Sequence, residues 1–215
     1  FDLVCRVNRG GTRLNNQEMR NALYQGNATR LINRLAEKEV FVAATEHSVP
    51  ANHMKDRYLV LRFVAFYLWQ EHITTDPDTN GLLEYRSNVE DFLGKTMRFL
   101  NRLSPEYRLF EELAARFTRA MELAIRLLPS GGFRLPSSPG KKRPINMAFF
   151  ESFGYLLSKL NGEGESFHHQ ILEVYTQLMS NAAYLDTLTR SVDSGIQTKK
   201  RYEIINRFIH ELNLC

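Results

Sequence analysis

Residues 56–72, DRYLVLRFVAFYLWQEH, decide how the rest of the chain is read. Leu59-Val60-Leu61 and the run from Phe63 to Trp69 are apolar, and Arg62 is the one charge between them. The β-branched and aromatic content would suit a buried strand, but the length favours a helix. A helix that is apolar on nearly all sides belongs at the centre of a bundle. Arg62 is then expected to meet an acid or to face a cleft, because an unpaired buried charge costs several kcal/mol.

The flanking segments carry the one-sided apolar stripe of helices packed around such a centre. Upstream, Asn15 followed by Glu18 is a helix start with a polar cap and a carboxylate three residues on. Met19, Ala22 and Leu23 share one side of that helix, which stops near Gly26. Asn27 then caps a second helix with Leu31, Ile32 and Leu35 inward and Arg30 and Arg34 on another face. Residues 45–53 (TEHSVPANH) and 74–81 (TTDPDTNG) read as a loop and a polar turn. Downstream, Val89, Phe92, Leu93, Phe99, Leu100 and Leu103 recur at helical spacing, and Ser104-Pro105-Glu106 reads as a fresh start. Residues 129–144, PSGGFRLPSSPGKKRP, are the longest irregular segment, a length that points to function or disorder. Residues 145–160, 167–185 and 199–212 return to helix. No period-two hairpin pattern and no internal repeat occurs. The expectation is a mainly α fold, a single bundle-like domain of roughly seven to nine helices.

Composition narrows the function classes. The chain has 215 residues, 43% hydrophobic and 24% charged, ordinary for a globular domain. No apolar run reaches the roughly 18 residues of a membrane span, so no membrane partner is expected. Asp2, Arg6 and Arg9 interrupt the first residues, which does not fit a signal peptide. Cys5 and Cys215 lie at the extreme ends, and two free thiols in a reducing cytoplasm are expected rather than a disulfide. His47 and His53 flank a proline, and His168-His169 are adjacent, so neither pair has the spacing of metal ligands. No nucleophile elbow, paired-cysteine motif or phosphate-binding loop is present. Neither a metal nor a catalytic residue is expected in this chain.

Charge is unevenly spread. Between Leu3 and Leu35 there are six arginines (Arg6, Arg9, Arg13, Arg20, Arg30, Arg34) against one acid, Glu18, so this segment carries +5 of the net +4 and the remainder about −1. A second cluster, Arg126, Arg134, Lys141, Lys142 and Arg143, has no acid between Glu122 and Glu151. Two readings stand: solvated faces with local pairs, or contact with phosphate in a nucleotide or nucleic acid. The turn Asn8-Arg9-Gly10-Gly11 divides the same way. It either merely turns the chain, or offers backbone N–H groups with Arg6, Arg9 and Arg13 as an anion site at a helix start.

The stretch RVNRGGTRLNNQEMRNALY, residues 6–24, resembles the R-I-N-x-G-G-x-x-L-x-x-Q-E-x-R-N-A-x-Y motif of the GmrSD-type modification-dependent restriction family. Three further segments match in order: Asp56 to Phe63 resembles its D-x-E-L-V-L-R-F helix, Arg143-Pro144-Ile145-Asn146 with Phe150-Glu151 its R-P-I-N…F-E start, and Arg201-Tyr202 its terminal R-F pair. The resemblance implies an N-terminal lobe similar to the ParB/sulfiredoxin fold, bearing D-G-Q-Q-R and linked to hydrolysis of a nucleoside triphosphate, followed by a helical half. It also implies a role in phage defence, with DNA and an HNH nuclease domain or chain as partners. This sequence departs from the pattern: D-G-Q-Q-R does not occur, no HNH-like segment follows, and Tyr58 stands where the family often has Glu. The chain opens on Phe1 directly before the motif, so it is expected to be the helical half alone, cytoplasmic and not catalytic by itself. Residues 1–26 would join the N-terminal lobe and residues 27–215 form the helical domain. Asn8, Arg9, Gly10, Gly11, Asn15, Glu18, Arg20 and Asn21 are the expected lobe or anion contacts. Arg6, Arg13, Arg30, Arg34, Lys141, Lys142 and Arg143 are the expected nucleic-acid contacts. The alternative is a helical scaffold for homo-oligomerisation or for a nuclease partner, with no DNA contact.

Overall fold

The structure, a computed structural model, describes residues 15–128, 132–138 and 140–213. Within them lie ten α-helices: α1 Asn16–Leu23, α2 Asn27–Ala36, α3 Glu39–Ala44, α4 Lys55–Gln70, α5 Val89–Arg102, α6 Leu109–Leu127, α7 Met147–Lys159, α8 Glu165–Ser180, α9 Ala182–Thr189 and α10 Gly195–Asn213. The expected mainly α bundle is therefore present, with one helix more than the upper estimate. Among the described residues the only β pairing is an isolated antiparallel bridge, Thr75 with Leu82. No described helix is long and apolar enough to cross a membrane.

Helix α4 is the centre, as its composition predicts. Every residue from Leu59 to Leu68 is buried, and its rings organise two sides of the core. Phe63 meets Phe117 of α6 edge-on at 5.1 Å and Phe150 of α7 at 6.4 Å. Three residues on, Phe66 meets Phe92 of α5 at 5.0 Å and Tyr202 of α10 at 5.7 Å. Helix α7 is the second buried element, with every residue from Ala148 to Ser158 inside. It lies close against α4 because Gly154 faces Phe63; a Cβ there would stand 3.2 Å from the ring.

Asparagines start several of the helices. Asn15, Asn88, Asn146 and Asn181 each accept a hydrogen bond from a first-turn backbone N–H, which satisfies donors that the helix itself leaves unpaired. Asn27 departs from the expectation. It is the first helical residue, and its side chain donates to the Leu103 carbonyl at 2.8 Å. The cap comes instead from α5, where Asn101 Oδ1 accepts from the Ala28 N–H at 2.8 Å. Gly26 makes this possible: its φ is 150°, and a Cβ would sit 2.6 Å from that same oxygen.

Two other boundaries and one loop differ from the sequence reading. Residues 104–107 form a turn, and α6 starts only at Leu109. The segment expected as one helix over 167–185 breaks at Asn181, which ends α8 and caps α9. The irregular segment before α7 is anchored in the core, because Phe133 is fully buried and packs on Phe150 at 4.7 Å.

Candidate functional site

Asn8, Arg9, Gly10 and Gly11 of the expected anion turn, and Arg6 and Arg13 beside it, lie outside the described residues. Description begins at Asn15, where the cap is reciprocal: Asn15 Oδ1 accepts from the Gln17 and Glu18 N–H groups, and Glu18 Oε2 accepts from the Asn15 N–H at 2.7 Å. The same pair ties α1 to the turn before α4. Asn15 Nδ2 donates to the His53 carbonyl at 2.7 Å, and Glu18 Oε1 lies 3.3 Å from His53 Nδ1. That turn carries two successive left-handed residues, His53 at φ 56° and Met54 at φ 55°, a conformation that side chains resist and neighbours must hold. Asn15→Ala removes both the cap and one of these ties. It is expected to lower stability by about 1–2 kcal/mol, read as a shift in the urea midpoint, and an unchanged midpoint would remove the cap from the account.

Arg20 does not face outward. Its guanidinium is buried, donates to Gln17 Oε1 through Nε and Nη2 at 3.2 and 3.0 Å, pairs with Glu90 of α5 and lies 5.4 Å from the Tyr58 ring centroid. Asn21 offers its carbonyl to the Gln25 side chain. The remaining expected cations fall into two sets. Arg30 and Arg34 line a small cleft beside α6, where Arg34 pairs with Glu111 at 2.9 Å. Lys141, Lys142 and Arg143 are exposed ahead of α7, and Lys142 pairs with Glu46. Arg134 of the same cluster is buried and also pairs with Glu46, at 2.8 Å. Among the described residues no ion pair or hydrogen bond joins the two sets.

The most unusual chemistry is inside. Arg62 of α4 and Glu151 of α7 are 1% and 0% exposed, with Nε donating to Oε2 at 2.6 Å. Arg201 of α10, 0% exposed, brings Nη1 to 3.6 Å from the other carboxylate oxygen. Arg62 also donates through Nη2 to Asp193 at 2.7 Å and through Nη1 to the Tyr58 hydroxyl at 3.2 Å. Arg201 Nη2 donates to the Val192 carbonyl at 2.8 Å, so the turn before α10 is held from two sides. Tyr85 holds it from a third, donating to the Asp193 carbonyl at 2.7 Å.

Burial is the largest influence on Glu151 and pushes its carboxyl upward, opposed by Arg62 and Arg201. Burial also acts against the Arg62 charge, yet Glu151, Tyr58 and Asp193 outweigh it and hold the guanidinium well above its usual value. We read the cluster as ionised, since a neutral Glu151 would leave two buried guanidiniums without their shared carboxylate. The sequence reading expected an acid or a cleft beside Arg62 and did not identify the acid. The legible signal was a lone charge in each of two apolar runs, Arg62 in α4 and Glu151 in α7.

Above this cluster a groove of about 420 Å³ opens between the 48–50 loop, the start of α4 and the segment 144–147. Sequence reasoning missed it, because no single segment forms it. Among the described residues no group of three or more His, Cys, Asp or Glu gathers as metal ligands. No family model, no curated protein and no solved structure matches the chain.

Proposed function

We propose that this chain is the helical, non-catalytic half of a modification-dependent restriction or anti-phage protein of GmrSD type. One observation carries the reading. The three segments that match the family downstream of α1 meet at one buried cluster, through Arg62, Glu151 and Arg201. Such segments resemble a family because the fold needs these charges in register, so their coincidence in space supports a shared helical architecture. The Asn15 end, tied to the 52–54 turn, is where a nucleotide-hydrolysing lobe would join. DNA would be met by exposed cations, of which Arg30, Lys141 and Arg143 have no ion pair among the described residues. A chain in this role does not turn over nucleotide alone.

The test is a titration of labelled duplex DNA at several salt concentrations. Arg30→Ala with Arg143→Ala is expected to weaken binding about tenfold at low salt and to reduce the slope of log affinity against log salt by about two. Binding that ignores both salt and the double substitution would sink the DNA part, and nucleotide turnover by the chain alone would sink the non-catalytic part. The scaffold reading is favoured by a different observation, the groove over Tyr58.

A further inference from the structure

We infer that the groove over Tyr58 docks a linear protein segment with apolar anchor residues flanked by acids. The inference does not rest on the restriction-system reading. The walls are apolar: Val49, Pro50, Leu59, Pro144, Ile145 and Met147. Met147 is 44% exposed although the eleven helix residues that follow it, Ala148 to Ser158, are buried. At about 420 Å³ the space lies within the range of ligand sites.

What favours a peptide is the make-up of the lining, six apolar side chains against two hydroxyls and one lysine. The Tyr58 hydroxyl already accepts from Arg62. Ser48, the other hydroxyl in the lining, donates to the Thr45 carbonyl at 2.6 Å and accepts from Arg134 at 2.5 Å. Ser48 is thereby engaged as donor and acceptor, while the Tyr58 O–H keeps its proton to donate to a carbonyl of the bound segment. A lining that is mostly apolar, with one hydroxyl and one ammonium donor among its side chains, suits the aliphatic or aromatic anchors of a linear motif whose backbone carbonyls and acidic flanks meet those donors.

Charge complementarity then selects the flanks. Lys55 lines the groove, Arg143 directly precedes its wall residue Pro144, and Lys141 lies two residues before that. All three are exposed, and none has an ion pair among the described residues. Local acids are already engaged: Glu46 by Arg134 and Lys142, and Asp56 by Arg57. The rim therefore carries a cationic excess that an acid-flanked partner would meet, which sets partner choice and association rate more than affinity.

The experiment uses the full chain and fluorescence polarisation with a labelled peptide bearing Leu and Phe between flanking glutamates. A peptide of the same core with flanking lysines and a labelled duplex DNA serve as comparisons. Binding in the micromolar range is expected, with about tenfold preference for the acid-flanked peptide. Met147→Glu is expected to reduce it about tenfold or more by placing a charge in the apolar wall. Lys55→Glu leaves the wall intact and is expected to reverse the flank preference, so a folding defect in the first variant does not protect the inference. Equal binding of the two peptides, absence of binding, or indifference to both variants would overturn it. Duplex DNA bound more tightly than the acid-flanked peptide, and weakened by the uncharged Met147→Ala as well as by Met147→Glu, would overturn it in favour of nucleic acid.

Discussion

Glu151→Ala is expected to destabilise the fold by roughly 3–5 kcal/mol, the usual consequence of removing one partner from a buried ion pair. The carboxylate stands between Arg62 and Arg201, which lie on different helices and are themselves buried. Without it, Arg62 keeps Asp193 and Tyr58, but Arg201 keeps only the Val192 carbonyl and the Thr198 hydroxyl. Glu151→Gln retains the volume and an oxygen for Arg62 Nε, so a smaller loss is expected. Replacing all three by apolar residues of similar size, Arg62→Met with Glu151→Leu and Arg201→Met, should cost less than the single alanine, because no buried charge is then stranded. Asp193, 44% exposed, would return to water in that variant. Urea denaturation followed by helical ellipticity distinguishes these cases. An alanine variant within about 1 kcal/mol of the parent would mean that the cluster does not govern stability.

The cluster also shows how far the sequence could be read. A lone arginine in an apolar run is sufficient to predict that α4 is central and that Arg62 needs a partner, because both follow from the cost of burying charge. The pairing itself depends on how α4 and α7 pack, and the lone Glu151 in the second apolar run was the one local sign of the partner. The same limit explains Asn27. Its position before an apolar stripe fits a cap, but the cap that forms belongs to Asn101 on α5. It also explains Phe133, in a segment whose Pro, Gly and Ser content reads as surface loop while one ring fills the space beside Phe150. The break at Asn181 is different. A cap residue in the middle of a helical run was a local signal, outweighed by the continuous apolar spacing on either side. For the basic segment, Arg20 teaches the same lesson as Arg62: a positive residue among like charges is bound by Gln17 and Glu90, so charge counting overstated the cations offered to a partner.

At high pH the fold is expected to fail cooperatively and early. Burial is the main cause that raises the phenols of Tyr67 and Tyr85, each to about 12. Burial pushes Tyr155, Tyr184 and Tyr202 higher still, with Glu71 adding to the effect on Tyr155 through the hydrogen bond it accepts at 2.8 Å. Below about pH 10 these phenols are neutral in both states and contribute no pH dependence. Above it the unfolded chain gives up protons that the folded chain retains. Stability therefore falls, by about 1.4 kcal/mol per pH unit for each phenol. Five such groups together approach about 7 kcal/mol per pH unit, which is comparable with the roughly 5–15 kcal/mol that holds a typical domain folded. Phenolate absorbance from the buried five should rise only as helical ellipticity collapses. Tyr202→Phe provides the decisive variant. Its hydroxyl is buried without a hydrogen-bond partner among the described residues, so its removal should leave neutral stability unchanged or improved and move the alkaline midpoint upward. If the five buried phenols ionised at the ordinary value with the helices intact, the aromatic core around α4 would be open to hydroxide, and its close packing would be refuted.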